Sequence, residues 1–414
     1  MQSYIQELFA ERIGGKSYGQ SDQIYKFEKI KRAKRQALAD YPERILLDFG
    51  IGENDETAAP EIRETLFREA AKYENRGYAD NGVIEYKDAA TRFMKREFSV
   101  TLDPLTEINH CIGSKSAYAI LPGAFINPGD ITLMTVPGYP VAGTHTKYLG
   151  GRVFPLKLEA SNNFLPDFAS VPDQVWPKVK LLVINYPNSP TGALAPQKFY
   201  EKVIKLAHDR RFVVVQDAAH IMLTYGQAPL SFLQLDGAKD IGVEVHSMSK
   251  GFHMIGWRLG FIAGNPLVIR AFADIKDNTD SGQFIAIQKA AALALDTPTI
   301  PKQVNAKYER RLKKLVATLN QIGFLASMPG GTYFLYIKAP SSTKHGLTFA
   351  NAEEVSQFLI RERSICTVPW DDAGAYLRFS VTYKAESEEE EDRLMALLKE
   401  RLSNDFGAKH SCCC

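Results

Sequence analysis

Charge of one sign is what this 414-residue chain lacks first: 50 basic and 48 acidic side chains leave a net charge of only +2. That balance gives no electrostatic reason to expect nucleic acid or an anionic membrane surface as partner. No apolar run approaches the length that spans a bilayer. The start, M-Q-S-Y-I-Q-E-L-F-A-E-R, lacks the basic residues and continuous apolar segment of a secretory signal, so a cytoplasmic protein is expected. Cysteine is scarce, at five residues, which suits a reduced compartment better than a disulfide framework. Cys111 and Cys366 lie among apolar residues and read as small core hydrophobes. Cys412–Cys414 read as a frayed tail, with metal binding the alternative. The spaced glycines of a nucleotide loop and any internal repeat are also missing.

What is present fits a globular α/β protein of two domains, since 414 residues exceed one compact core. Short β-branched runs, I-T-L-M-T-V from Ile131, L-L-V-I-N-Y from Leu181, R-F-V-V-V-Q-D from Arg211 and V-E-V-H-S-M from Val243, alternate with helix-period stretches. Continuous apolar strands between helices predict a mostly parallel sheet covered on both faces. We expect a large α/β domain over residues 51–300 and a smaller α+β domain over 301–414. Residues 1–50 have no core-sized pattern and are expected to pack on the small domain. In the last third, F-L-A-S-M, T-Y-F-L-Y-I-K-A, S-I-C-T-V-P and A-Y-L-R-F-S-V-T read as extended, with a helix near Ala352–Arg363. The final acidic run, E-S-E-E-E-E-D-R, reads as a solvated helix start.

Ligands of open α/β sheets sit beyond the carboxyl ends of the strands. Asp217 follows one apolar strand and Lys250 follows the next. Alone they could be a structural ion pair. Their company points elsewhere. In G-S-K-S-A-Y-A-I, Gly113 and Ser114 open an apolar helix, whose first backbone N–H groups suit an anion. Ser247, Ser249 and Arg258 add hydroxyls and a guanidinium suited to one phosphate. Tyr139, in V-P-G-Y-P-V, could cover a flat ring, and N-Y-P-N-S-P-T-G offers a polar turn after another strand. These parts describe pyridoxal 5′-phosphate: phosphate on the helix start, ring against Tyr139, ring nitrogen on Asp217, and Lys250 joined to the aldehyde as a Schiff base.

The series G-S-K, G-Y-P, N-x-P-T-G, D-A-A-x, S-x-S-K-x7-R and L-R-F-S resembles the class I/II aminotransferases of fold type I over nearly the whole chain. The resemblance implies that Arg378 clamps the substrate carboxylate with help from Gly52. It also implies that Lys115 lines the cofactor and substrate site, and that Tyr78 reaches the phosphate of a neighbouring subunit in a homodimer. Lys250 would act as general base, Asp217 would keep the ring nitrogen protonated, and an amino acid and a keto acid would be the substrates. Within that family, V-P-G-Y-P-V and E-V-H-S-M-S-K-G-F-H-M-I-G-W-R-L-G-F are similar to the LL-diaminopimelate aminotransferases. That likeness implies transfer from LL-2,6-diaminopimelate to 2-oxoglutarate, giving tetrahydrodipicolinate and glutamate.

The sequence departs from the pattern in three places. Ser189, with Asn188 before it, stands where the family has the asparagine that meets the ring oxygen. His220 stands where a tyrosine meets the same oxygen, which implies an altered imine titration unless His220 points into the core. The loop after Tyr78 is one residue shorter than in the diaminopimelate enzymes; Asp80 either replaces their distal-ammonium glutamate or is a turn residue. An aminotransferase for aspartate or aromatic donors, a lyase or decarboxylase on the same fold, and a non-catalytic binding protein are the rival readings.

Overall fold

The computed structural model describes residues 4–20 and 26–407. Cys412–Cys414 lie outside the described residues, as does the start Met1–Ser3. In α1 (Lys26–Asp40), Ile30, Ala33 and Ala37 recur at helical spacing and form the inward stripe. After β1 (Leu47–Asp48) come α2 (Pro60–Ala70), with proline at its start, and α3 (Ile84–Phe98). Strand and helix then alternate. First come β2 (Ile108–Cys111), α4 (Gly113–Phe125), β3 (Ile131–Val136), α5 (Val141–Tyr148) and β4 (Arg152–Lys157). Next are β5 (Val179–Asn185), α6 (Gln197–Arg210), β6 (Val213–Asp217), α7 (Ala238–Ile241), β7 (Gly242–Ser247), α8 (Met248–Gly251) and β8 (Gly260–Gly264). Two further helices, α9 (Pro266–Lys276) and α10 (Ile285–Asp296), follow.

β2 to β8 form one seven-stranded sheet in the order β2-β8-β7-β6-β5-β3-β4. It is parallel from β7 to β4, and β8 runs antiparallel to both β7 and β2. The alternating strand–helix pattern could not show that reversal: β8 begins two residues after Arg258, too soon for a crossover helix. One apolar layer lies on each face of the sheet, with Val214, Phe261 and Tyr200 in one and Val215, Val245 and Ile262 in the other. In the register, Asn185 pairs with Asp217 and Asp217 with Val245. β5 and β6 therefore end level, β7 runs two residues further to Ser247, and the residues following them lie along one rim.

The chain continues with α11 (Thr299–Gln321), β9 (Phe334–Lys338), α12 (Ala352–Arg363), β10 (Ile365–Cys366), β11 (Val368–Trp370), β12 (Tyr376–Ser380) and α13 (Glu388–Ser403). β11, β12 and β9 make an antiparallel sheet, whose face carries Arg378 opposite Val368 and Tyr336. β10 pairs in parallel with β1, and α1 packs on α12, while Glu11–Ile13 lies against α5. Two expectations need correction. F-L-A-S-M, residues 324–328, forms no strand; the ladder begins at Phe334. The acidic run does start a helix, with the Ser387 side chain accepting from Glu390 N, but Glu391 is not solvated. It is buried and meets Arg310, Arg311 and Lys314. Among the described residues, no helix is long and apolar enough to cross a membrane.

Candidate active site

Lys250 lies in the short α8, which Ser247 caps by accepting from Ser249 N at 3.1 Å. Ser247 thus has an oxygen committed to the helix start, a role beyond the phosphate contact expected of it. Lys250 Nζ donates to the Gly52 carbonyl at 3.1 Å and stands 5.5 Å from the Tyr333 ring centre. The same carbonyl accepts from the Tyr333 hydroxyl at 2.8 Å. Asn54 Nδ2 donates to the Lys250 carbonyl at 3.1 Å, tying the 50s loop to α8. Among the described residues no carboxylate pairs with Lys250, so the structural ion pair with Asp217 is not formed.

Asp217 is buried at the end of β6, with Oδ1 accepting from Ala219 N at 3.0 Å. Burial pushes its carboxyl up to about 6, against the opposing pull of that N–H, the Tyr118 hydroxyl, and the charges of Lys250 and His246. Asn185 braces the rim, donating to the Asp217 carbonyl at 3.1 Å and accepting from Ser189 N at 2.8 Å. Asn188 uses its carbonyl oxygen within the turn, where it accepts from Thr191 N and Thr191 Oγ1. Its Nδ2 is buried without a partner. His220 is buried against Tyr333 and Phe334, with Nδ1 unpartnered. Burial, with Lys250 and Arg378 adding to it, holds its pKa well below the usual imidazole range, so the ring is neutral. Its surroundings are therefore not only apolar: the charges of Lys250 and Arg378 both act on it.

Gly113 opens α4 at φ +70°, a conformation glycine adopts freely. A Cβ there would come within 2.5 Å of Arg258 Nη2, so the guanidinium lies directly over the helix start. Arg258 Nη1 also donates to the Ile255 carbonyl at 2.8 Å and reaches Ser249 Oγ at 3.5 Å. Gly113, Ser249 and Arg258 thus form one cradle of donors suited to a phosphate, with Ser114 next in the helix. Tyr139 is half-exposed and stands edge-on to Tyr118, ring centres 6.1 Å apart.

Arg378 is almost fully buried, its guanidinium 4.0 Å from the Phe334 ring centre. Nη2 reaches the Gly50 carbonyl only at 3.5 Å, and Nε has no partner. Burial lowers its pKa to about 10, and no carboxylate pairs with it among the described residues. A buried cation without a counter-ion is costly, and a ligand carboxylate would relieve it. A Cβ on Gly52 would stand 3.9 Å from Arg378 Nη2, so the backbone passes close to the guanidinium.

Three predicted residues stand away from this cluster. Tyr78 is 86 % exposed. Asp80 is exposed, and its carbonyl accepts from Lys276 Nζ. Lys115 is on the exposed side of α4, close enough to His145 to help lower that imidazole's pKa after burial. Four residues of the site were not singled out from sequence. Asn185 opens the quoted turn N-Y-P-N-S-P-T-G and could have been found there. Asn54, Tyr118 and Tyr333 carried no signal, since they read as an ordinary loop amide and core aromatics.

The family model for aminotransferase class I and II matches residues 44–396. A relative from Methanocaldococcus jannaschii named LL-diaminopimelate aminotransferase is 55 % identical over 94 % of this chain and 93 % of its own. One of the same name from Methanococcus maripaludis is 54 % identical over 97 % of this chain and 98 % of its own. Among solved structures, substrate-bound BacF from Bacillus subtilis superposes with a TM-score of 0.83 at 28 % identity, covering 94 % of this chain and 98 % of that one. A probable N-succinyldiaminopimelate aminotransferase from Thermus thermophilus gives 0.82 at 25 % identity, covering 92 % and 100 %.

Proposed function

The chain belongs to the class I and II aminotransferases, enzymes that act on amino and keto acids, and from that premise we propose that it binds pyridoxal phosphate and works on LL-2,6-diaminopimelate. The amino group passes to 2-oxoglutarate, giving glutamate. The remaining 2-amino-6-oxo acid cyclises with loss of water to tetrahydrodipicolinate. The observation that carries the reading is two buried groups left without counter-ions among the described residues, Arg378 on β12 without a carboxylate and Asp217 at the end of β6 without a cation, with His220 near both.

The residues present fit the cofactor. Gly113, Ser249 and Arg258 would hold its phosphate, Tyr139 would cover its ring, and Asp217 would face the ring nitrogen. Asn188 Nδ2 and His220 Nδ1 are buried polar atoms still lacking partners, as the surroundings of a polar ligand should be. Bound there, pyridoxal phosphate supplies a ring that takes up the electron pair left at the substrate α-carbon.

The chain's own residues do the rest. Arg378 binds the substrate carboxylate through two N–H groups and fixes the α-carbon's orientation. Its position on a strand, packed over Phe334, keeps the guanidinium from following the ligand. Lys250 Nζ anchors the cofactor and, once freed, carries the proton to and from the α-carbon. The Gly52 carbonyl and the Tyr333 hydroxyl behind it hold the amine's direction. Ionised Asp217 keeps the ring nitrogen protonated. Tyr78 and Asp80 serve the site of a second copy in a homodimer, Tyr78 at the phosphate and Asp80 at the distal ammonium; their exposure supports this.

The test is an absorbance spectrum of the purified protein before and after LL-diaminopimelate, with no keto acid present. Loss of the visible lysine–cofactor band and growth of a pyridoxamine band is the expected result. Conversion by aspartate or aromatic amino acids but not by LL-diaminopimelate would leave the family and remove the substrate.

A further inference from the structure

Tyr118 lies one helical turn into α4, 2 % exposed, and its hydroxyl makes no hydrogen bond of good geometry, although the Asp217 carboxyl lies close enough to act on it. Helix positions of this kind, packed against a sheet, are ordinarily apolar. A phenol there carries a buried oxygen that a leucine or phenylalanine would not, and an unpartnered buried hydroxyl costs free energy. The group facing it is the carboxyl of Asp217: each helps to set the other's proton affinity. The ring of the same residue stands edge-on to Tyr139. One side chain thus touches the residue that would cover the cofactor ring and the residue that would meet its nitrogen.

We propose that Tyr118 is a positioning residue for the ring-nitrogen acid, its hydroxyl donating to the Asp217 carboxylate in the loaded enzyme. The chemistry asks for such a donor. The carboxylate must stay ionised while the proton stays on the ring nitrogen, because only the protonated ring is a strong electron acceptor. Asp217 is surrounded by the apolar layer of the sheet, which favours moving that proton onto the carboxyl. Ala219 N–H offsets this at one oxygen. Tyr118 is the donor that supplies the second, and two donors to one carboxylate make it a weaker base. Tyr118 touches no substrate, so it acts through Asp217.

This rests on the pyridoxal phosphate reading, and the experiment separates the two. Wild type and Tyr118→Phe are loaded with cofactor labelled with 15N in the ring, and the cofactor dissociation constant is measured alongside. The phenyl ring keeps the contact with Tyr139, so folding is preserved. The expected result is a ring 15N resonance moved from the pyridinium toward the pyridine position and a cofactor dissociation constant raised about tenfold, as for loss of one bond to a charged group. kcat should fall with KM unchanged. Tyr118→Leu, which also removes the ring, should move the resonance in the same direction. A variant whose 15N resonance and cofactor affinity match a loaded wild type overturns the proposal, whatever its melting temperature. A wild-type chain that takes up no cofactor overturns the pyridoxal phosphate reading and this proposal with it.

Discussion

A carboxyl taken out of water keeps its proton to higher pH, and at Asp217 burial lifts the ordinary 3.8 to about 6. The sign of the stability effect follows. Between these two values the unfolded chain has released the proton and the folded chain still holds it. Stability of the cofactor-free protein therefore falls as pH rises through that window, and the cost stays constant above about 6, at roughly 3 kcal/mol. Cofactor-free Asp217→Asn should accordingly melt above wild type at pH 7.5, with the gap shrinking as pH falls from 6 toward 4. The loaded proteins should reverse the order, since the amide cannot pair with a protonated ring nitrogen. Melting curves of both forms across pH decide it; an amide variant that melts lower without cofactor at every pH would show that the buried charge carries no such cost. Buried imidazoles carry the opposite linkage. His110, lowered to about 4 mainly by burial, and His220 stay neutral in the fold, so they withdraw stability as pH falls below about 6.5.

At the scale of elements, the site is assembled from the ends of β5, β6 and β7, the start of α4 and the 50s loop. Gly113 joins two of its requirements in one residue, the positive φ and the room for Arg258. Gly113→Ala would force a Cβ to within 2.5 Å of the guanidinium and strain the backbone, about 1–3 kcal/mol together. The expected outcome is cofactor binding roughly tenfold weaker or more, with the melting temperature of the cofactor-free protein lowered by about a few degrees; dissociation followed by dialysis and absorbance measures the first and a melting curve the second. Strands whose both faces are covered are plain in sequence because they carry an unbroken apolar run, as V-V-V does in V-V-V-Q-D. The polar residue that breaks such a run is then visible as a rim residue, which is how Asp217 and Lys250 were legible. F-L-A-S-M was misread because a short, mostly apolar run resembles a strand, but no ladder partner lies beside it. Tyr118 and Tyr333 were illegible because their roles depend on which atom the hydroxyl meets across the fold, at Asp217 and at Gly52. Asn185 was half legible: its turn was recognised, but not its bond to the carbonyl of Asp217.

Across the whole molecule, a line of charge connects the C-terminal helix to the loop that holds Lys250. Arg311, 1 % exposed, donates to Glu391 at 2.7 Å and to Asp55 at 2.9 Å, both carboxylates buried with it. It also donates to the Val381 and Tyr383 carbonyls. Asp55 accepts from Lys307 and from the Tyr308 hydroxyl, and Tyr308 in turn meets Asn54, which holds the Lys250 carbonyl. Removing the central cation leaves Asp55 with Lys307 and Glu391 with Arg310 and Lys314, so Arg311→Met should lower stability by less than the roughly 3–5 kcal/mol of a fully broken buried pair, read as a denaturant midpoint. Replacing a network of this kind as a unit is a different matter, since an apolar substitute of the same volume can be neutral. The last consequence concerns a second copy. Tyr78 is 86 % exposed on a loop whose neighbours are fixed, Asn81 to Asn109 at 2.8 Å and Gly82 to the Ala79 carbonyl at 2.8 Å. A large aromatic side chain held out on a rigid loop is suited to enter a neighbour's site at small entropic cost. In a mixed dimer of one Tyr78→Phe subunit and one Lys250→Ala subunit, the only intact lysine site is the one that receives its Tyr78 from the Lys250→Ala partner. That site should keep wild-type cofactor affinity. When both changes are placed in one subunit beside a wild-type partner, the intact lysine site receives phenylalanine instead and should bind cofactor several-fold more weakly, as for one lost bond to phosphate. Equal affinity in the two arrangements would remove the shared site, and weakening in the first alone would place Tyr78 at the phosphate of its own subunit.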